Sequence, residues 1–543
     1  MIAGGRAAVV VVAVAAVLTG CSAAEQPVAP PLGDHVTVQQ GELLGAADDG
    51  VLRYQGIPYA APPIGKLRWQ PPQPPQQWTG TRSATEPGAR CAQLAAPPGT
   101  PHATAGSESE DCLTLNVTVP AGTTPTSRHP VLVWVHGGGF NAGAGADVDP
   151  RRIAQAGPLV VVTINYRLGI FGFFGLHGLA GSGTFGLMDQ QAALLWVRRN
   201  IAAFGGDPGT VTLAGESAGA DSVCAQLASP GSVGLFHRAI LQSGGCSSAN
   251  IVDVIHPGTG PGGDTWKPLP LVEAAGASTA TALGCPDPDS RPVAALTCLR
   301  ALPAAQLVTG AGGVYWSPAT GTPTLPRRPS DLAVDRDLRA MPMLAGTNRD
   351  EGTLYTAAFF DRAGVTITDT ALRALLASAA GSQTPAAARS YRPGDRSPGR
   401  AWSDVITDRA YACTGLATYR SMGPRAPLYA YEFADPTAPT PFIALPPDLA
   451  TGATHGAEMP YLFDLVPGQP VLTPAQQALA AELVAGWARF ATTGDPNGGG
   501  GPPWPHWTGA GTILTITGAG RGTVARPAAE FATAHRCGMW GVS

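Results

Sequence analysis

Gly215-Glu216-Ser217-Ala218-Gly219 sets a serine between two glycines in the spacing G-x-S-x-G, the pattern in which a nucleophilic serine occupies a strained turn between a strand and a helix. The glycines have a steric reason: two residues to either side of such a turn, a Cβ would strike the neighbouring strand or helix. A serine hydroxyl is a weak nucleophile at neutral pH. It needs an adjacent base, and the base needs a third group to fix its tautomer and balance its charge. The chemistry implied is acyl transfer through a serine ester. A Ser-x-Gly turn that only caps a helix would satisfy the same five residues, so the surroundings must decide.

Ten histidines compete for the base. His136 opens His136-Gly137-Gly138-Gly139-Phe140, a loop of the kind whose backbone N–H groups face a developing oxyanion; its imidazole reads as a loop anchor. Where such turns carry catalysis on an open α/β sheet, the order along the chain is serine, acid, histidine, and among the histidines beyond Ser217 the candidates are His256, His455, His506 and His535. His455 lies in the Gly-flanked segment Gly452-Ala453-Thr454-His455-Gly456 after a strand-like run, where a sheet delivers a base. The other three read as packing or surface histidines. The acid belongs after the preceding strand, where Arg349-Asp350-Glu351-Gly352 offers two adjacent carboxylates. Spacing alone leaves both Asp350 and Glu351 open.

The elements that must position these groups are short β-branched runs: Val131 to Val135, Leu159 to Ile164, Val211 to Ala214, Ala239 to Gln242, Met343 to Gly346 and Leu428 to Phe433. From Gly186 to Phe204 the period changes. Leu194, Val197, Ile201 and Phe204 recur at helical spacing, and Gly205-Gly206 ends the helix. Strands alternating with helices predict an α/β fold with a doubly wound, mostly parallel central sheet flanked by helices. The Pro-, Gly- and Thr-rich stretches 250–270 and 304–328 read as loop or cap insertions over the site.

The chain has 543 residues, 44% hydrophobic and 13% charged, about half the usual charged share, so a large core forms and intrinsic disorder is excluded. A net charge of −4 and the lack of any basic run exclude nucleic acid as a partner. The one-charge segment Met1–Arg6 and the apolar run Ala7–Leu18 are too short to span a bilayer and read as a signal peptide over 1–20. Leu18-Thr19-Gly20-Cys21 resembles a bacterial lipobox, which makes Cys21 a site of lipidation, 21–33 a tether, and the outer face of the cell membrane (or secretion) the expected location; 34–543 is then one catalytic domain. Eight further cysteines suit disulfides in an oxidising compartment. None is spaced as a zinc ligand, and neither a metal nor another cofactor is expected.

Further motifs run nearly end to end: Gln55-Gly56-Ile57-Pro58-Tyr59-Ala60 with Leu67-Arg68-Trp69; Ser109-Glu110-Asp111-Cys112-Leu113; Asn165-Tyr166-Arg167; Gly186-Leu187-Met188-Asp189-Gln190; Gly205-Gly206-Asp207-Pro208; Leu241-Gln242-Ser243-Gly244; and His455-Gly456-Ala457-Glu458. With the serine turn and the His136 loop, they resemble the type-B carboxylesterases of the α/β-hydrolase fold, the family of the cholinesterases and fungal lipases. The resemblance implies a serine carboxylesterase with Ser217 as nucleophile, His455 as base and then acid, and Glu351 as the orienting carboxylate. It also implies an oxyanion hole formed by the N–H groups of Gly138, Gly139 and Ala218, with Glu216 and Ser243 supporting the histidine and the acid.

The same resemblance pairs Cys91 with Cys112, Cys285 with Cys298 and Cys413 with Cys537, leaving Cys224 and Cys246 as an extra bridge beside the site or as two free thiols. The cholinesterases bind a quaternary ammonium on a tryptophan in the loop closed by the first disulfide. The stretch Ala92 to Asp111 holds no aromatic residue, which points away from choline esters and toward a neutral alkyl or aryl ester. Phe140, Phe171, Phe173, Phe359 and Phe360 are candidates to line the acyl pocket. A lipase acting on lipid aggregates is the alternative activity, and a non-catalytic adhesion protein of the same fold is a remote one, since Ser217, Glu351 and His455 are all present.

Overall fold

The computed structural model describes residues 1–2, 4–5, 7–10, 30–96, 106–247, 253–311, 313–466, 468 and 470–542. Cys21, most of the expected signal peptide and tether, and part of the aromatic-free stretch lie outside the described residues.

The β-branched runs assemble into one sheet of eleven strands. In chain order these are β1 (Ala46–Asp48), β2 (Val51–Pro58), β3 (Thr114–Pro120), β4 (His129–Val135), β5 (Val160–Ile164), β6 (Gly206–Glu216), β7 (Arg238–Gln242), β8 (Met343–Asn348), β9 (Leu428–Phe433), β10 (Thr512–Ile516) and β11 (Thr523–Pro527). Across the sheet the order is β11-β10-β9-β8-β7-β6-β4-β5-β3-β2-β1. From β5 to β10 all neighbours are parallel. Antiparallel pairs close both edges.

The parallel strands are apolar at successive positions because both faces are covered. Along β4, Val131, Val133 and Val135 enter one core, while Leu132 and Trp134 enter the other. The first core packs under the helix Phe185–Asn200, whose last turn tightens over Ile201–Phe204 before Gly205 (φ 74°) stops it. The second packs under the helix Pro474–Thr493, started by a capping box between Thr473 and Gln476. Four buried or half-buried disulfides, Cys91–Cys112, Cys224–Cys246, Cys285–Cys298 and Cys413–Cys537, tie loops and helices to this frame.

The observed elements are longer than the apolar runs that announce them. β6 begins at Gly206, five residues before Val211, with an irregular register against β4 between those two residues; β8 continues through Asn348. The stretch 304–328 is not all loop: Ala304–Gly310 is helical, and Ala319–Thr320 pairs with Lys267–Pro268. Its Pro and Gly residues mark the ends of these short elements rather than a continuous coil. Among the described residues, no single helix is long and apolar enough to cross a membrane.

Candidate active site

Three strand ends meet at the carboxyl edge of the sheet, where open α/β sheets place their sites. β6 ends at Glu216, and Ser217 turns the chain into the helix Ala218–Ala228 with φ 55°, ψ −125°. A non-glycine residue there is strained. The turn is held in that shape by Ser217 N–H donating to Gln242 O at 2.8 Å. Both flanking glycines are sterically required. A Cβ on Gly219 would lie 2.1 Å from Val135 O, and one on Gly215 would lie 2.4 Å from the carbonyl carbon of Gly219.

β8 ends at Asn348, and Glu351 follows. Its Oε2 lies 2.6 Å from His455 Nδ1, a residue 104 positions further on, while its Oε1 accepts from Asn348 N–H at 2.7 Å and from Thr347 Oγ1 at 2.8 Å. The fold thus chooses between the two adjacent carboxylates. Asp350 turns away and pairs with Arg400. His455 itself sits in the loop after β9, positioned by Asn348 Nδ2, which donates both to Thr454 O (2.7 Å) and to Glu458 Oε2 (2.6 Å). Gln242 Nε2 donates to the other oxygen of Glu458 at 3.2 Å.

The outer nitrogen of His455 lies 3.2 Å from Glu216 Oε1. Ser217 Oγ makes no hydrogen bond among the described residues. Burial by itself would depress the His455 imidazole, but the carboxylates of Glu216 and Glu351 outweigh it and carry the group up to about 9. Burial lifts Glu216 to about 8, with His455 opposing and Glu458, Glu351 and Asp221 reinforcing the rise. The two groups lie within ion-pair distance without a hydrogen bond between them, and each one's charge stabilises the other's. Tyr355 and Tyr411 flank the imidazole, with ring centroids 5.2 and 5.1 Å away, and their hydroxyls touch each other.

The His136 loop lies against the serine turn. A Cβ on Gly137 would fall 2.7 Å from Glu216 Oε2 and 3.1 Å from Ser217 Cβ. Gly138 and Gly139 take φ 94° and 60°, and Gly138 O accepts the N–H groups of Asn141 and Ala142. The N–H groups of Gly138, Gly139 and Ala218 have no acceptor among the described residues. For Ala218 this follows from its place at the first position of a helix, where N–H groups lack intrahelical partners. His136 is a buried anchor: Nδ1 lies 2.9 Å from Gly137 O, the ring stacks on Tyr166 at 4.5 Å, and burial holds the imidazole down at about 4.

Several expected residues are placed elsewhere. Ser243 is buried next to the turn, but its hydroxyl has no hydrogen-bond partner; Thr347 and Asn348 hold Glu351 instead, because they sit on the same strand end as the acid. Phe171 and Phe359 line a cavity of about 700 Å³ that also reaches Ile170, His256, Tyr315 and Trp316. Phe140 and Phe173 pack on each other in the core at 5.2 Å, and Phe360 joins a separate cluster. His256 meets the rings of Tyr315 and Phe359 at a tilt. His506 edges Tyr429, and His535 lies between Asp408 (2.8 Å) and Glu432 (3.0 Å). Glu458, Asn348, Tyr355 and Tyr411 were not singled out by spacing. Of these, Glu458 belongs to the motif His455-Gly456-Ala457-Glu458.

Residues 33–540 match the model of the carboxylesterase family. The para-nitrobenzyl esterase of Bacillus subtilis is 32% identical over 482 residues, covering 85% of this chain and 90% of that protein. The phenmedipham hydrolase of Pseudarthrobacter oxydans is 33% identical over 516 residues, covering 90% and 96%. Among solved structures, a thermophilic para-nitrobenzyl esterase superposes with a TM-score of 0.75 at 29% identity, over 93% of this chain and 99% of that one. A carboxylesterase of Geobacillus stearothermophilus does so with a TM-score of 0.75 at 30% identity, over 92% and 100%. A strained serine turn, an imidazole bound to a buried glutamate, a loop of unpaired N–H groups and similarity along nearly the whole chain agree: the chain belongs to the carboxylesterase family and is an α/β-hydrolase that hydrolyses carboxylic esters.

Proposed function

We propose that this chain cleaves carboxylic esters in two acyl transfers through Ser217. Ser217 Oγ attacks the ester carbonyl carbon while its proton passes to His455 Nε2. The carbonyl π pair moves to oxygen, and the resulting oxyanion takes hydrogen bonds from the N–H groups of Gly138, Gly139 and Ala218. As the tetrahedral adduct collapses, the C–O bond to the alcohol breaks and the proton on His455 goes to the leaving oxygen. Water then repeats the sequence on the acyl-serine and frees the acid and the serine. Glu351, on Nδ1, fixes the tautomer that leaves Nε2 free to accept and stabilises the imidazolium.

The observation that carries this reading is the conjunction at the carboxyl edge of the sheet of a strained serine, an imidazole 2.6 Å from a buried carboxylate, and three N–H donors with no acceptor among the described residues. The cavity that opens beside the loop is walled mainly by alanine, leucine and aromatic side chains, which suits uncharged alkyl or aryl groups. The test is purified protein against p-nitrophenyl esters of increasing acyl length, beside Ser217→Ala. Loss of turnover in the variant, with an organophosphate adduct found only on the Ser217 peptide, is expected; comparable turnover would remove the serine from the mechanism. A jump in rate above the substrate's micellar threshold would make the enzyme a lipase.

We also propose export and tethering to the outer face of the membrane through Cys21. The support is the short apolar segment followed by Leu18-Thr19-Gly20-Cys21 and a polar spacer. Metabolic labelling with a fatty acid should mark the full chain and not Cys21→Ala.

A further inference from the structure

The cavity of about 700 Å³ has a mostly apolar wall, and most of the polar side chains on it are already engaged. The amide of Gln93 binds Cys91 O, Gly143 O and Gly143 N–H. Asn141 Nδ2 donates to Gly139 O at 2.6 Å and to Trp316 O at 3.3 Å, and Thr259 Oγ1 donates to His256 O. Two lining side chains differ. His256 and Tyr315 are both half-buried. Neither ring nitrogen of His256 nor the hydroxyl of Tyr315 has a hydrogen-bond partner among the described residues, and none of these three atoms is sealed from water.

The two rings stand side by side, with centroids 4.2 Å apart. Phe359, which also lines the cavity, meets His256 at 5.2 Å and stacks at 6.2 Å on Tyr355, whose ring lies 5.2 Å from that of His455. An unbroken row of rings thus runs from the catalytic imidazole to the polar pair. At its far end Tyr315 returns to the donor loop, since its Cε2 lies 3.9 Å from where a Cβ of Gly139 would be. Tyr315 is also held at its backbone, where its carbonyl accepts Lys267 Nζ, and the same cation lies over its ring at 4.8 Å. The pair therefore sits on the wall of a cavity bounded by the donor loop on one side and by the rings that pack on the base on the other.

We propose that His256 and Tyr315 are specificity-determining residues: they take an uncharged hydrogen-bond acceptor, such as a ketone, an amide or a second ester carbonyl, on the part of the ester lodged in this cavity. This ranks substrates within the ester hydrolysis already proposed and rests on Ser217 as its nucleophile. A phenol donates, and a neutral imidazole donates from one nitrogen and accepts at the other. Burial, reinforced by Lys267, holds His256 down at about 4, so at neutral pH the imidazole offers hydrogen bonds and not charge. A few polar groups on an apolar wall fix the orientation of what binds there. A plain alkyl chain in the same place would strip water from both side chains and return no hydrogen bond.

The test uses p-nitrophenyl esters of keto acids of increasing length, with the ketone next to the terminal methyl, beside the straight-chain esters of equal length. A second series carries the ketone on the alcohol of an acetate ester. The readout is the keto-to-alkyl ratio of kcat/KM at the length where it is largest. His256→Phe and Tyr315→Phe keep a ring at each position and remove the hydrogen-bonding atoms. Either should lower that ratio roughly fivefold in one of the two series, the size of one neutral hydrogen bond, and the double variant should lower it further. His256→Gln keeps a donor and an acceptor and should hold the ratio within about twofold of the parent. Keto and alkyl esters whose rates change alike in all the Phe variants, in both series, would overturn the proposal and leave the two rings as packing. Survival of turnover in Ser217→Ala would overturn the underlying nucleophile assignment, whatever the ratios.

Discussion

Glu216 Oε1 lies 3.2 Å from His455 Nε2, the nitrogen to which the proposed mechanism sends the proton of Ser217. The imidazole is therefore held between two carboxylates, Glu351 on the inner nitrogen and Glu216 on the outer. Glu351 orients it. Glu216 stabilises its protonated form, which leaves less of the resting imidazole free to act as a base at neutral pH but favours the charge that develops as the serine proton arrives.

Removing the outer charge should move the acid limb of the reaction. A base must be deprotonated to act, and Glu216 helps raise His455 to about 9. In Glu216→Gln the imidazole loses protons more readily, so the acid limb of kcat/KM should shift to lower pH by about one unit. An unchanged profile would mean that the two groups do not interact in the working enzyme.

The two neighbouring carboxylates should separate cleanly. Glu351→Gln removes the partner of His455 Nδ1 and should lower kcat on the order of 10³-fold or more, with the fold intact. Asp350→Asn should leave kcat within a few-fold. It breaks the largely buried pair with Arg400, and because Asp404 still binds that arginine, the cost should be roughly 1–3 kcal/mol. Steady-state kinetics and urea denaturation on both variants decide the matter; the reverse pattern would make Asp350 the acid.

The Cys224–Cys246 bridge ties the helix behind Ser217 to the segment that follows β7, closing a loop of 22 residues. Replacing both cysteines by serine should cost about 3 kcal/mol in the chain-entropy account. Replacing Cys413 and Cys537, which close 124 residues, should cost about 4–5 kcal/mol. Thermal inactivation reads both effects. A larger loss in the first double variant than in the second would show that loop length does not set the cost.

His535 should govern part of the stability in alkali. Burial lowers this imidazole, but Asp408 and Glu432 on its two nitrogens outweigh burial and raise it to about 9 from an ordinary 6.5. A raised group stabilises the fold fully below its unfolded value and loses that contribution as pH climbs through the folded one, here between 6.5 and about 9. Glu432 has the opposite sign. Burial would raise it, yet His535 and Arg349 bring it to about 2, so its contribution is complete above 4.5 and is lost as pH falls from there through about 2. His535→Asn should be less stable than the parent at pH 6 and show a flatter decline of the urea midpoint between pH 7 and 9. Parallel curves would sink the assignment.

The residues that announce themselves in the sequence are those whose reason for being there is local. Gly215 and Gly219 are legible because a strand-to-helix turn leaves no room for a Cβ. The apolar runs of β4, β5 and β9 are legible because both faces of the sheet are buried, and Gly205 because a helix must stop. Element ends were less so: β6 extends back to Gly206, and a helix forms at Ala304–Gly310 amid Pro- and Gly-rich sequence, since pairing and packing there outweigh local propensity. The family resemblance added roles for Ser217, Glu351 and His455 that periodicity alone could not assign.

By itself, the order of residues determined the fold class, the strained serine, the loop of donors and the histidine that follows β9, since each rests on backbone geometry within a few positions. Only the tertiary structure decided that Glu351 and not Asp350 faces His455, that Thr347 and Asn348 rather than Ser243 hold the acid, and that Cys224 meets Cys246. Those outcomes depend on the register between β6, β7, β8 and β9 and on how much water each group keeps. They are distances between residues as many as 104 positions apart, which no local pattern records.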